Sequence, residues 1–322
     1  MPESSLPLVR GAGGSNKSVL IIGAGIVGAC CAAYLQREGH SVTLVDSEDP
    51  QFGASWGNAG ALSPGSCIPL STPGMALKAP RWLLQSDGPL VVRPRYVLQA
   101  LPWLVRFVRA GAADRVSAIA DSLRALHEPV FTNYSPILSA AGCEDLVRQT
   151  GSLVVYRSEA AYEQSAKEWA MRRERGATFE LLGGKELQSL VPALSPEFTR
   201  AVLQPTHGYV CDPGALLHRL RRHVASGGGR YVRDRVVALE VGSGKVQARL
   251  ASLRTLEADR VVIAAGAWST QLLRDLGVSV PLETQRGYHM QFGDTTGGLA
   301  LPVSFAEDKF YATPMKDGLR LA

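Results

Sequence analysis

The sequence predicts an α/β fold made of two interleaved domains, and three features carry that prediction. The first is a strand, glycine turn, helix and second strand packed into Lys17 to Asp46. The second is a distant apolar run, Val261-Val262-Ile263, ending in Ala264-Ala265-Gly266-Ala267-Trp268-Ser269, the texture of another parallel strand whose C-terminal end meets a ligand. The third is a change of texture after about residue 80 that reverts near 206, in a chain of 322 residues, longer than one core usually fills.

Each element follows from local chemistry. Val19-Leu20-Ile21-Ile22 is a short branched apolar run of the kind that forms a buried parallel strand. It passes directly into Gly23-Ala24-Gly25-Ile26-Val27-Gly28, a GxGxxG turn in its proper context. Gly23 permits the tight turn, Gly25 lets the backbone approach a pyrophosphate, and Gly28 lets the next helix lie close to the sheet. Phosphates then fall at the helix N-terminus, where unpaired N–H groups and the positive dipole end receive an anion. Ala29, Ala32 and Ala33 keep the helix near the strand, and Gly39 stops it before a second strand, Ser41 to Val45. Asp46 closes that strand, where a carboxylate accepts hydrogen bonds from both hydroxyls of an adenosine ribose. The unit is a Rossmann-type dinucleotide site, and the motif alone does not separate FAD from NAD.

After a turn at Ser47-Glu48-Asp49-Pro50 comes a run of small residues, Gly53-Ala54-Ser55-Trp56-Gly57-Asn58-Ala59-Gly60-Ala61, suited to backbone wrapping tightly around a flat, polar ligand. Gly53 to Gly57 also matches GxSxG, but Asp49-Pro50-Gln51-Phe52 is not the strand that a nucleophile elbow requires, so a serine hydrolase is disfavoured. From Pro69 to Arg109, prolines at 69, 73, 80, 89, 94 and 102 are expected to break any long element and mark the departure into a second domain. The Trp, Leu and Arg mixture there suits helices packed on a core with Arg at the rim, or a patch lying on a membrane surface. Asp114 to Leu126 reads as a helix, Gly151 to Tyr156 as a strand, and Glu159 to Arg175 as a polar helix stopped by Gly176. Asp212 and Pro213 cap a helix over Ala215 to Ala225, and Arg235 to Val241 and Val246 to Leu250 read as strands. Pro281 to Met290 and Lys309 to Pro314 read as strands rich in polar aromatics, suitable walls for a small-molecule pocket. The expected division is a disordered tail over 1-16, a dinucleotide domain over 17-79 and 206-276, and an α+β substrate domain over 80-205 and 277-322.

Composition excludes several classes of function. A formal charge of +5 is mild for this length, and the clusters Arg172-Arg173-Arg175 and Arg219-Arg221-Arg222 lack aromatic interleaving, so they read as solvated faces and no nucleic-acid partner is expected. No run of 18 apolar residues or signal-peptide core is present. The five cysteines are odd in number and form no CxxC, which suits reduced thiols and a cytoplasmic location. His218 and His223 do not share a helix face well, and with His40 and His127 they suggest no metal site.

Four segments together carry a resemblance: Gly23 to Gly28, Trp56-Gly57-Asn58-Ala59-Gly60, Val261 to Ser269 and Arg286-Gly287-Tyr288-His289. In this order and spacing the chain resembles the FAD-dependent D-amino-acid oxidase superfamily. Asn58 to Gly65 and Trp82 to Leu90 are most similar to the bacterial D-amino-acid dehydrogenases. The resemblance implies FAD, with adenosine on Asp46, pyrophosphate on Gly23, Gly25, Ile26, Val27 and Gly28, and the flavin ring along Ser55, Trp56, Asn58, Ala59 and Gly60. It further implies adenine against Val236 and Val237 and the cofactor beside Ala265, Gly266 and Trp268. The implied reaction is oxidation of a D-amino acid, or of a cyclic or N-methyl amino acid such as D-hydroxyproline, by hydride transfer from the α-carbon to flavin N5. The implied electron acceptor is a quinone or respiratory chain, with peripheral contact at the inner face of the membrane. Family members continue for roughly a further hundred residues, whereas this chain stops at Leu319-Arg320-Leu321-Ala322, so a truncated chain is expected.

For the chemistry, Tyr288, His289 and Tyr311 are the expected pocket residues, with His289 binding the carboxylate or taking the ammonium proton. Arg286 is the expected carboxylate clamp, and His207 a further candidate. Two other readings stand beside this one: an inactive or truncated flavin-binding subunit, and an NAD-dependent dehydrogenase.

Overall fold

The computed structural model of the chain describes residues 16–47, 53–75, 96–242 and 244–322. The expected N-terminal tail up to residue 15, most of the turn after Asp46, and the Trp82 to Leu90 stretch lie outside them.

The first part of the chain supplies β1 (Ser18–Ile22), α1 (Ile26–Arg37), β2 (Ser41–Asp46), β3 (Ala61–Leu62), α2 (Val97–Ala110), α3 (Ala113–His127), α4 (Val130–Ala141), β4 (Val147–Arg148), β5 (Ser152–Tyr156) and α5 (Glu159–Glu174). Then follow β6 (Glu180–Gly183), α6 (Gly184–Leu190), β7 (Arg200–Gln204), β8 (Gly208–Val210) and α7 (Pro213–Ser226). The remainder gives β9 (Arg230–Arg233), β10 (Val236–Val241), β11 (Val246–Leu250), β12 (Thr255–Ala258), β13 (Arg260–Ile263), α8 (Ser269–Asp275), β14 (Met290–Phe292), β15 (Val303–Phe305), β16 (Phe310–Met315) and β17 (Gly318–Leu321).

β1 sits at the centre of a parallel sheet in the order β13-β1-β2-β9. Its branched run buries both faces, as expected of a central parallel strand. Val19 and Ile21 pack with Ala29, Ala32 and Ala33 of α1 and with Leu217 and Leu220 of α7. Leu20 and Ile22 face the other way, against Val236, Leu239 and Leu250 of the antiparallel sheet β10-β11-β12. The helices form where their caps stand: the Asp212 side chain accepts the Ala215 N–H at 2.8 Å to start α7, and Ser158 caps α5.

A seven-stranded mixed sheet, β14-β17-β16-β15-β5-β7-β6, forms the second layer system. One face carries Leu153, Val155, Ala201, Val303 and Ala312 into a core with Leu187 of α6. The small sheet β3-β8-β4 joins the segment after the glycine unit to the strand before α7.

Three expectations need correction. Pro102 does not break its element: α2 runs for 14 residues through it, and α4 likewise contains Pro136. A single proline removes one i→i−4 bond and leaves the rest of the ladder in place, which a helix absorbs with a local bend. The strand expected over Pro281 to Met290 is irregular and exposed up to His289; only Met290–Phe292 pairs, on β17, because a strand persists where a partner completes its ladder. Arg172 and Arg175 are not solvated rim charges. Their side chains are 19% and 12% exposed, Arg172 lying over the Trp169 ring of its own helix and Arg175 reaching Asp121 and the Ser117 hydroxyl, so Arg175 ties the end of α5 to α3.

β1 and β13 are pinned at their start by Asp259, whose Oδ2 accepts both the N–H and the hydroxyl of Ser18 at 2.8 Å. The bond from the Ser18 N–H, then that from its hydroxyl, holds the Asp259 carboxyl below the usual carboxylate range. A carboxyl lowered in the folded state stabilises fully above its unfolded value and loses that contribution as pH falls through the folded one. Asp259→Asn is therefore expected to melt earlier at neutral pH and to lose less on acidification than the parent, compared by scanning fluorimetry from neutral into acid pH. Parallel acid limbs for the two proteins would contradict this.

Candidate functional site

The glycine turn is fixed from several sides. Gly23 adopts φ +97°, donates its N–H to the Val45 carbonyl at 2.8 Å, and lies so close to β13 that a Cβ would run into the Ala264 carbonyl. A Cβ on Gly28 would collide with the Gly23 carbonyl, so α1 reaches the sheet only because both are glycine. Ala24 N–H donates to Asp46 Oδ2 at 2.7 Å, and Ile26 N–H to Ser55 Oγ at 2.9 Å. Gly25 differs from its neighbours in the motif: a Cβ there meets Ser55 Oγ at 3.0 Å and otherwise open space. Around this groove Val27, Val237 and Trp268 expose large apolar side chains, Trp268 to 67%. Val237 arrives there because the Asp46 carbonyl accepts the Asp234 N–H at 2.9 Å, setting the β9–β10 junction beside the end of β2. Gly266 leads the short turn that carries Trp268, directly after Ala265 at the end of β13.

The run of small residues braces itself. Asn58 Nδ2 donates to the Ser55 carbonyl at 3.0 Å, and Asn58 Oδ1 accepts the Gly60 N–H at 2.7 Å. The Trp56 indole packs on Gly214 at the first turn of α7, so Trp56 offers a ligand in the groove its backbone rather than its ring. Ser55 lies in a turn with its oxygen accepting from the glycine loop, which is not a nucleophile elbow.

Opposite this run stands part of the second face of the seven-stranded sheet, polar over β14, β17 and β16 and apolar further along, where Val154, Tyr156 and Val202 pack with Trp169. Tyr311 and Thr313 of β16 alternate with Ala312 and Pro314. Thr313, fully buried, donates to the Ala59 carbonyl at 2.8 Å, and Met315 approaches Gly60. Arg320 of β17 donates to the Asn58 carbonyl at 2.7 Å and to Gln291 at 2.9 Å. Burial pushes the Tyr311 phenol up to about 12, opposed by Ser152, so it is a neutral hydrogen-bonding group at physiological pH. Ser152 lies 3.2 Å from His207 Nδ1 and accepts from Gln204. His207 Nε2 accepts the Gly65 N–H at 3.1 Å, which places the ring proton on Nδ1. Burial, reinforced by Arg172 and Arg124, pulls His207 down to about 4. It is an interior hydrogen-bonded histidine, and the candidate role at the site does not fit it.

Of the four residues expected to meet substrate, two come to the site. The His289 ring covers Gly57, where a Cβ would fall 2.8 Å from Cε1, and Tyr311 lies on the polar sheet face. Arg286 and Tyr288 stand in solvent, Tyr288 at 81% exposure. A cleft of about 730 Å³ opens beside Trp56, lined also by Asp212, Met315 and Arg320. Sequence reading missed Thr313 and Arg320; the signal was their alternation with Ala312, Pro314, Leu319 and Leu321, one polar face on otherwise apolar strands.

A glycine turn without side chains, an acid at the next strand end and a rim of exposed apolar groups fit an adenine dinucleotide lying along the groove. The family described as FAD dependent oxidoreductase, DAO, matches residues 18–322. The chain belongs to this family. Its cofactor is accordingly FAD, and the nicotinamide alternative falls away. The chain is 33% identical over 310 residues to a D-amino-acid oxidase of Bradyrhizobium diazoefficiens, a match spanning 95% of this chain and 73% of that one. It is 29% identical to a D-amino acid dehydrogenase of the same organism, over 94% and 71% of the two chains. Glycine oxidase from Geobacillus kaustophilus shares the fold, with a TM-score of 0.67 at 20% identity over 95% of this chain and 70% of that one.

Gly25→Val tests the groove. Since a Cβ there meets only the Ser55 hydroxyl, at 3.0 Å, a small shift of that side chain admits it, and the variant is expected to fold with a melting temperature modestly below that of the parent apoprotein, yet to lose FAD on gel filtration, seen as loss of absorbance near the flavin bands. Full retention of flavin would remove Gly25 from the phosphate-binding turn.

Proposed function

We propose that the protein catalyses FAD-dependent oxidative deamination of an amino acid, with a D-amino acid as the principal substrate. The observation that carries this reading is the polar sheet face bearing Tyr311, Thr313 and Arg320, set against the run Ser55 to Gly60 with His289 above Gly57. The 33% identity to a D-amino-acid oxidase supports the choice of substrate class. In this reading 17-79 with 206-276 hold the cofactor, and 80-205 with 277-322 hold the substrate. Every strand of the β13-β1-β2-β9 sheet comes from the first pair of segments and every strand of the seven-stranded sheet from the second, which supports the division.

FAD, when bound, supplies the acceptor for two electrons. The chain's own part is to seat the substrate so that its α-hydrogen faces the run Ser55 to Gly60. His289 takes a proton from the substrate ammonium and neutral Tyr311 contributes a hydrogen bond, with Arg286 and Tyr288, both exposed in the same segment as His289, the proposed partners of the carboxylate. Loss of the α-hydrogen with its electron pair and of an N–H proton leaves an imine, which water hydrolyses to the oxo acid and ammonia.

We assign the reoxidising partner to a quinone or respiratory chain, with the protein at the cytoplasmic face of the inner membrane. No helix among the described residues is long and apolar enough to cross a membrane. α2 supports a peripheral contact: Leu98, Leu101, Val105 and Val108 form one exposed stripe beside exposed Arg106 and Arg109, and no acidic residue occurs between Asp87 and Asp114. Co-sedimentation with vesicles containing anionic lipid, lost when Leu101 and Val105 are both replaced by Glu, is the expected outcome.

Anaerobic addition of D-amino acids, D-hydroxyproline, L-proline, glycine and sarcosine to the flavin-loaded protein tests the reaction itself. Bleaching of the visible bands by D-amino acids and not by their L enantiomers is expected. Bleaching by glycine or sarcosine alone would move the substrate class, and loaded protein that no member of the panel bleaches would favour a flavin-binding subunit without turnover.

A further inference from the structure

We infer that Arg320 is a positioning residue for the reaction, holding the backbone carbonyls of Trp56 and Asn58 so as to set how the cofactor-bearing run lies against the substrate sheet. The inference rests on placing the cofactor along Ser55 to Gly60. Arg320 Nη1 donates to the Asn58 carbonyl at 2.7 Å and lies 3.5 Å from the Trp56 carbonyl, while Nε donates to Gln291 Oε1 at 2.9 Å. Gln291 is the register partner of Arg320 across the β14–β17 ladder, so the guanidinium is aimed by the sheet itself.

The run it holds is anchored at its ends, by Ser55 on the Ile26 N–H, by the Trp56 indole on Gly214 and by the Val210 N–H of β8 on the Gly60 carbonyl at 2.7 Å. Between them Gly57 and Ala59 bring almost no side chain to pack. Polar contacts to the carbonyls therefore fix the middle of the run, Thr313 of β16 on that of Ala59 and Arg320 of β17 on those of Asn58 and Trp56. The planar guanidinium fork suits this task, because separate N–H groups reach separate acceptors from one rigid plane. Lysine would offer a single mobile point charge instead. Burial pulls the Arg320 guanidinium below its usual range, with Asp212 opposing, which is the cost of keeping a cation among neutral carbonyls.

The test compares Arg320→Ala, Arg320→Lys and Asn58→Ala as flavin-loaded proteins, by visible circular dichroism and steady-state kinetics with a D-amino acid. Arg320→Ala is expected to change the visible flavin signal and to lower kcat by about 10²-fold, the scale of an ångström misplacement, with KM moving little. Arg320→Lys should recover part of both. Should the alanine variant be insoluble, the lysine variant decides: a smaller change of the same sign supports the clamp, and parental signal and kcat overturn it. Asn58→Ala separates the two ideas. A flavin signal altered by Asn58→Ala but untouched in the Arg320 variants overturns the clamp alone. Silence in all three overturns the placement of the cofactor run and the clamp with it.

Discussion

A turn with no room for side chains holds the rest of the structure in place. At Gly23 the backbone of β1 meets the end of β13, and at Gly28 the first turn of α1 meets Gly23, each closer than any Cβ permits. That packing brings the ends of β1, β2 and β13 to one edge of the sheet, and ligands of doubly wound folds bind outside the C-terminal ends of the strands. The exposed apolar rim of Val27, Val237 and Trp268 belongs to the elements next to those ends, Val27 to the first turn of α1, Val237 to the start of β10 and Trp268 to the turn after β13.

The second requirement is a polar wall opposite the cofactor groove. Sheets in globular proteins usually bury an apolar face. Here one face of the seven-stranded sheet does so, while over β14, β17 and β16 the other sets Thr313 and Arg320 on the carbonyls of a backbone run, with Gln291 accepting from Arg320 and Tyr311 paired with Ser152. Ser152, Gln204 and His207 continue that polarity inward as a hydrogen-bonded cluster kept neutral by burial. Buried polar groups are tolerated where every partner is supplied, and such clusters fix geometry more sharply than apolar packing.

Much of this was legible in the sequence because it rests on local rules. The strand, glycine turn, helix and acid of Lys17 to Asp46 are each dictated by neighbours in the chain, as are the Asp212 cap and Pro213 at the start of α7. What could not be read locally was tertiary. Pro281 to His289 has strand-like residues but pairs with no strand among the described residues, and Pro102 sits in a helix that continues past one lost bond. The burial of Arg175 depends on α3, some fifty residues away in sequence, and the role of Thr313 depends on Ala59, 254 positions earlier. Arg286 and Tyr288 have the chemistry of a carboxylate site, but their exposure is set by the lack of a strand pairing over Pro281 to His289, which their own residue types do not encode.

The pairing of Ser18 with Asp259 spans 241 residues and bears on how the protein comes into being. One of the two sheet neighbours of β1 follows only when β13 is made, roughly ten to fifty seconds after β1 at about 5–20 residues per second. Until then a strand of four apolar residues has an open edge, the kind of surface that recruits wrong partners. The turn that Ala264 closes is likewise unfinished throughout that interval. The glycine turn is thereby completed only once β13 is made, and until then the open edge of β1 needs shielding, by chaperones or by transient contacts of its own.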